Sequence, residues 1–172
     1  MAQGGEMTDE ERADRVAELA ADGGVRIAVA ESLTAGRISS VLGRGAAASE
    51  WYRGAVVAYD EEVKFEVLGV TRGPVVTDGC AREMATGVRT LLGADVALGI
   101  TGVGGPGPQE GCPPGTVHLA VARAEGSQSW VESRHVVLEG DPTEVVAGAT
   151  TLALDELVRA LVTRPPGGPT TG

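Results

Sequence analysis

Residues 94–122 read ADVALGITGVGGPGPQEGCPPGTVHLAVA: an apolar run, a glycine- and proline-rich loop, and a second apolar run. The first run (94–101) suits a buried strand. The loop holds a literal G-x-G-x-x-G at Gly102, Gly104 and Gly107, which marks a dinucleotide site only when it opens a helix. Here Pro106, Pro108, Pro113 and Pro114 lead instead into another strand, GTVHLAVA (115–122), so that reading lacks its structural context. Two uses of the glycines remain open: backbone amides brought close to a phosphate, or a tight connection whose dihedrals require glycine. After the turn signal EGSQS, the segment WVESRHVVL (130–138) completes an antiparallel hairpin.

Upstream of this stretch, strands and helices alternate. Thr8 and Glu11 form a capping-box pattern, and Ala13, Val16, Ala17 and Ala20 follow with helical spacing until Gly23–Gly24. RIAVA (26–30) and GAVVAY (54–59) read as buried strands. The pattern predicts helices from about Thr34 to Leu42, around Lys64 up to Gly69, and from Asp78 to Leu92 with Gly93 closing the last. Downstream, Asp141 as N-cap, Pro142 at N1 and Glu144 at N3 open a final helix to about Thr163. The expected fold class is α/β: a three-layer α/β/α sandwich with a mixed, mainly parallel sheet of about five strands. Residues 1–7 read as a disordered lead-in, 8–163 as a single domain and 164–172 (RPPGGPTTG) as a flexible tail.

The 172 residues are 42% hydrophobic but only 3% aromatic, so the core must be built from Val, Leu, Ile and Ala. A net charge of -10 argues against nucleic acid or an acidic membrane as partner, while leaving room for a small anion in a locally positive site. Two cysteines are too few for a disulfide scaffold. An acidic, polar N-terminus and the lack of a bilayer-length apolar run point to a soluble, cytoplasmic protein without a membrane partner.

Lys64 is the sole lysine in a chain whose other cationic side chains are all arginine. An ammonium can be desolvated, lose its proton and act as a base, whereas a guanidinium cannot. The plainer alternative is an i,i+4 pairing with Asp60. Active sites in open α/β sheets gather at the carboxyl ends of buried strands. Three such ends carry Glu31-Ser32-Leu33-Thr34-Ala35-Gly36, then Tyr59 with the helix bearing Lys64, then Thr101-Gly102. Ser32 could be a nucleophile activated by a neutral lysine, or the cap of the following helix. Tyr59 could hydrogen-bond Lys64 or a substrate oxygen, or simply plug the end of its strand. Glu31 could orient a neighbour or sit at a helix start where the dipole favours an acid. His118 and His135 lie on the hairpin, poorly placed for a metal cluster or a triad, and Cys112 has no base beside it.

AESLTAG (30–36), GAVVAYDEEVKFEVLGV (54–70), GADVALGITGVGGP (93–106) and PPGTVHLAVA (113–122) together resemble the CinA carboxy-terminal domain family, over roughly residues 8–163. Its stand-alone members include PncC-type nicotinamide-nucleotide amidohydrolases. The resemblance implies deamidation of nicotinamide mononucleotide to nicotinic acid mononucleotide and ammonia by a serine–lysine mechanism, with neither metal nor cofactor. It implies Ser32 as nucleophile, Lys64 as general base and Tyr59 as a third catalytic residue. Glu31, Thr34, Gly36, Thr101, Gly102, Gly104 and Gly105 would bind the small-molecule nucleotide, and the chain would form a homo-oligomer. Three departures stand out. Leu33 and Ala35 replace Cys and Gly of the family's ESCTGG. Tyr59-Asp60-Glu61 replaces Tyr-Ser-Asn and sets two acids beside the base, which favours its protonated form. Gly140-Asp141-Pro142, with Val146 four positions on, replaces a Gly-Asp-Arg motif and a second basic residue, leaving Arg37, Arg53 or Arg134 to compensate. These departures keep open a different amide substrate, or a nucleotide-binding module without catalysis.

Overall fold

The structure is a computed structural model that describes residues 6–163. The tail at 164–172 and the first five residues of the expected lead-in lie outside this range. In chain order the elements are α1 (Asp9–Gly23), β1 (Ile27–Glu31), α2 (Arg37–Leu42), α3 (Ala48–Trp51), β2 (Tyr52–Val57), α4 (Glu61–Leu68), α5 (Asp78–Leu92), β3 (Val96–Gly102), β4 (Thr116–Glu125), β5 (Gln128–Val137) and α6 (Pro142–Val162). The strands form one mixed sheet in the order β2-β1-β3-β4-β5. β1 pairs in parallel with β2 and β3, while β4 runs antiparallel to both β3 and β5, so four of the five strands point the same way.

Alternation along the strands divides the core in two. Ile27 and Val29, Val96, Leu98 and Ile100, and Val117, Leu119 and Val121 face α1, α2 and α6 in one large cluster. Their neighbours Ala28, Ala30 and Ala97 face α4 and α5 through Leu68, Met84 and Val88, and Ala120 and Ala122 meet Ala81 and Ala85 of α5. Gly99 completes the small-residue face: a Cβ there would lie 2.5 Å from the Ala81 carbonyl oxygen and the Ala85 nitrogen. The missing side chain is what lets the α5 backbone settle onto β3.

The helix ends follow their caps. Thr8 and Glu11 form the capping box of α1, Thr77 accepts from Cys80 N at the start of α5, and Asp141 and Glu144 close a second box on α6. Gly24, Gly69 and Gly93 take left-handed conformations just past α1, α4 and α5. Two boundaries differ from expectation. α2 starts at Arg37 rather than near Thr34, because Ala35 (φ 48°) and Gly36 (φ 94°) are left-handed and a right-handed helix cannot run through them. β2 sits two residues earlier than GAVVAY and follows the unanticipated α3, which the Trp51 side chain anchors by donating to the Ala46 carbonyl at 2.9 Å.

β1 connects to β2 on one side through α2 and α3, and β2 returns across β1 to β3 through α4 and α5. The direction of winding therefore reverses at β1, and a crevice opens beyond the carboxyl ends of β1 and β3. No helix among the described residues is long and apolar enough to cross a membrane.

Candidate active site

A cavity of about 740 Å³ occupies that crevice. Its wall takes Ser32 from the end of β1, Tyr59, Asp60, Glu61 and Lys64 from the end of β2 and α4, and Thr101 through Gly105 from the end of β3 and the loop beyond it. Of the residues expected to form a site, the fold brings Ser32, Tyr59, Lys64, Thr101, Gly102, Gly104 and Gly105 into this one wall. Glu31, Thr34 and Gly36 are absent from it. They lie behind it, joined to one another by hydrogen bonds.

The Glu31 side chain is fully buried. Its Oε2 accepts from Thr34 Oγ1 at 2.7 Å, Gly36 N at 3.0 Å and Ile38 N at 3.2 Å, and its Oε1 accepts from Ser39 N at 2.7 Å. The carboxylate thus satisfies the open amides at the start of α2, the task that a capping serine would otherwise perform. Gly36, not Ser32, is the N-cap of α2, and it makes no side-chain cap. Ser32 extends the parallel ladder by donating its backbone N–H to the Ile100 carbonyl at 3.1 Å, and its hydroxyl has no capping duty.

Lys64 is 2% exposed, the bulkiest of the fully buried side chains. Its Nζ donates to the carbonyls of Ala58 at 2.8 Å and Tyr59 at 3.4 Å. Burial pushes the amine below its ordinary value of 10.5, while the charges of Cys80, Asp60, Glu61 and Glu110 pull it upward and lose. The two neighbouring acids favour the protonated amine, as expected, but burial outweighs them. Both acids are exposed, and Asp60 turns to cap α4 by accepting from Glu62 N at 2.8 Å, so it makes no ion pair with Lys64. The thiol of Cys80, on the α5 side of the amine, is itself pushed up to about 11 by burial.

Tyr59 is 71% exposed, so it plugs nothing; its carbonyl, not its phenol, meets Lys64. Thr101 is buried and donates its hydroxyl to the Val75 carbonyl at 2.8 Å, leaving its oxygen available as an acceptor. Gly102 needs to be glycine because a Cβ would run into the Thr116 carbonyl of the adjacent β4.

Several residues of the site were not anticipated. Val75 and Val76, between α4 and α5, form one wall. Glu110 fastens the glycine loop to that wall by accepting from Val75 N at 3.0 Å and Val76 N at 2.7 Å. A lone carboxylate inside TGVGGPGPQEGCPPG was the available signal, since an acid in a glycine-rich loop can accept from backbone amides. Pro142 and Val146, already singled out in the sequence, line the cavity from α6, on the opposite face of the sheet from the α4 helix that carries Lys64. None of Arg37, Arg53 and Arg134 reaches the cavity: Arg53 donates to the Leu92 carbonyl at 2.9 Å, and Arg134 pairs with Glu156 at 2.6 Å. His118 and His135 stack 4.4 Å apart on the hairpin and take no part in the cavity.

Residues 9–161 match the family model described as the CinA C-terminal domain. A CinA-like protein from Frankia casuarinae is 40% identical over 150 residues, covering 84% of this chain and 34% of that protein. A crystal structure of a competence-damaged protein (CinA) superfamily protein from Klebsiella pneumoniae matches with a TM-score of 0.83 and 34% identity, over 90% of this chain and 98% of that one. Another superfamily protein, from Enterobacter cloacae, matches with a TM-score of 0.86 and 30% identity, over 94% and 96% of the two chains. The chain spans between 26% and 39% of the length of the first curated relatives it matches.

Proposed function

This chain belongs to the CinA C-terminal domain family, and on that footing we propose that it is a serine–lysine amidohydrolase of linear amides, acting on the carboxamide of nicotinamide compounds as the resemblance implies for nicotinamide mononucleotide. The observation that carries the reading is the sole lysine, buried and depressed in basicity, in the same cavity wall as a strand-end serine whose capping task Glu31 has taken over.

In the proposed reaction Ser32 Oγ attacks the carboxamide carbon while its proton passes to the neutral Lys64 amine. The tetrahedral intermediate expels the amide nitrogen, which takes that proton from Lys64 and leaves as ammonia. Water then attacks the acyl-Ser32 ester with Lys64 again accepting a proton, and the acid departs with the serine hydroxyl restored. The carbonyls of Ala58 and Tyr59 hold the amine in place by accepting from it. Neither step needs a metal, and association into a homo-oligomer is part of the same reading.

A second reading, the same chemistry on a different amide, is favoured by the apolar Pro142 and Val146 on the α6 side of the cavity. The test is ammonia release from nicotinamide mononucleotide, its dephosphorylated nucleoside and nicotinamide, with Ser32→Ala and Lys64→Arg run beside the parent protein. Release by the parent and background rates from both folded variants is the expected result. Binding of these compounds with no turnover of any of them sinks the amidohydrolase and leaves a nucleotide-binding module.

A further inference from the structure

The cavity holds one lysine, two exposed carboxylates and, among the described residues, no arginine. Its cation cannot serve as a phosphate clamp: Lys64 is buried at one end, with Nζ turned onto two backbone carbonyls. Asp60 and Glu61 sit in the wall beside it and contribute negative charge.

The α6 side offers no compensation. Pro142 brings no backbone N–H, and Val146 one turn later is aliphatic. The free amides at the start of α6 are already used, since Asp141 Oδ1 accepts from Thr143 N at 2.8 Å and Glu144 N at 2.9 Å. Glu144 in turn accepts from Asp141 N at 2.8 Å, so two carboxylates of the chain already occupy the positive end of that helix. The strongest phosphate holds are cations and unspent helix amides, and neither lines the cavity among the described residues; the glycine loop contributes backbone dipoles without charge.

We infer that the site selects carboxamides whose remainder carries no phosphate, so that a pyridinium nucleoside is a better substrate than its 5′-phosphate. The inference rests on the amidohydrolase reading and narrows its substrate class. A cationic ring suits a cavity with two wall carboxylates, and an apolar α6 side suits an uncharged sugar or alkyl group. A phosphate dianion in the same space would meet repulsion from Asp60 and Glu61 with nothing to offset its lost hydration.

The test compares kcat/KM for nicotinamide mononucleotide with that for its dephosphorylated nucleoside, by ammonia release from the full chain at fixed ionic strength. The nucleoside is expected to lead by on the order of tenfold or more, the scale of one lost charge-assisted contact. Raising the salt concentration should lower KM for the nucleotide and raise that for the cationic nucleoside, because screening weakens the repulsion of the one and the attraction of the other. Pro142→Arg and Val146→Arg each place a guanidinium on the α6 side without touching Ser32 or Lys64, and each should shift the ratio toward the nucleotide. Ser32-dependent hydrolysis with the nucleotide equal or preferred overturns the inference and leaves the amidohydrolase standing. No ammonia from either compound removes the amidohydrolase itself and the inference with it.

Discussion

Toward α1 and α6 the sheet presents Ile27, Val29, Leu98, Ile100 and Leu119; toward α5 the same strands present Ala28, Ala30, Ala97, Gly99, Ala120 and Ala122. The first set fills volume, and the second gives it up. Large side chains bury the most apolar area and account for most of the stabilisation. Small ones bury less but let a helix backbone come close, and that closeness has a use here. α5 begins at Asp78, immediately after Val75 and Val76, which form a cavity wall and bind both Thr101 and Glu110. Seating α5 on Gly99 therefore sets the position of that wall relative to the end of β3. Stability and site geometry are allotted to opposite faces of one sheet.

Adjacent residues of β3 can break this division. Leu98→Ala empties space on the large face and should cost about 2–5 kcal/mol in chemical denaturation. Its kcat at a temperature where it remains folded should stay within about twofold of the parent, since nothing on the cavity side moves. Gly99→Ala adds one methyl on the small face and should cost about 1–3 kcal/mol. Its kcat should nonetheless fall by roughly tenfold to a hundredfold, because α5 must shift and carry the cavity wall with it. If Leu98→Ala loses more activity than Gly99→Ala, the division of labour is wrong.

The Lys64 amine sharpens the comparison through pH. Its folded value lies below 10.5, so in the interval between the two values the unfolded chain binds more protons than the folded one. Stability contributed by this group accordingly rises with pH across that interval, and its cost is full below it. The neutral base accumulates over the same interval, so kcat/KM should climb to a plateau before an ordinary lysine would titrate. Asp60→Asn with Glu61→Gln removes two charges that favour the ammonium and should move the midpoint lower still; a midpoint moving up would remove Lys64 as the base.

The smallest effect belongs to His118, on the small face. Burial first and His135 second push it below 6.5, against the pull of Asp78. Its Nδ1 is buried without a partner. As pH falls through 6.5 the unfolded chain takes up the proton more readily, so the melting temperature should drop. His118→Gln should flatten that slope by a degree or two, about what a fraction of 1 kcal/mol produces in a domain of this size.

Much of the fold could be read from local chemistry. Asp78, Leu92 and Gly93 bound α5 where the helical pattern and the closing glycine put them, and the Pro/Gly loop after β3 gave way to a hairpin, as expected. The size alternation within IAVAE and VALGITG was equally visible, but its meaning depends on which helix covers which face, a long-range fact. The same limit explains the site. Ser32 and Thr101 were recognisable at strand ends and Lys64 on the helix after one, whereas the bonding of Glu31 to Thr34 and to the α2 amides was not, because the side on which a turn residue bonds depends on left-handed Ala35 and Gly36. Glu110 acts across 34 residues of sequence, and no periodicity reports such a contact.

The four donors around Glu31 also make the turn behind Ser32 an internal gauge. The amide protons of Gly36, Ile38 and Ser39 can exchange with solvent only if that buried carboxylate lets go of them, which ties three slow deuterium-uptake signals to one structural event. A variant that loses activity while those amides stay protected has lost a reacting group. A variant whose three amides begin to exchange together has lost the platform beneath it.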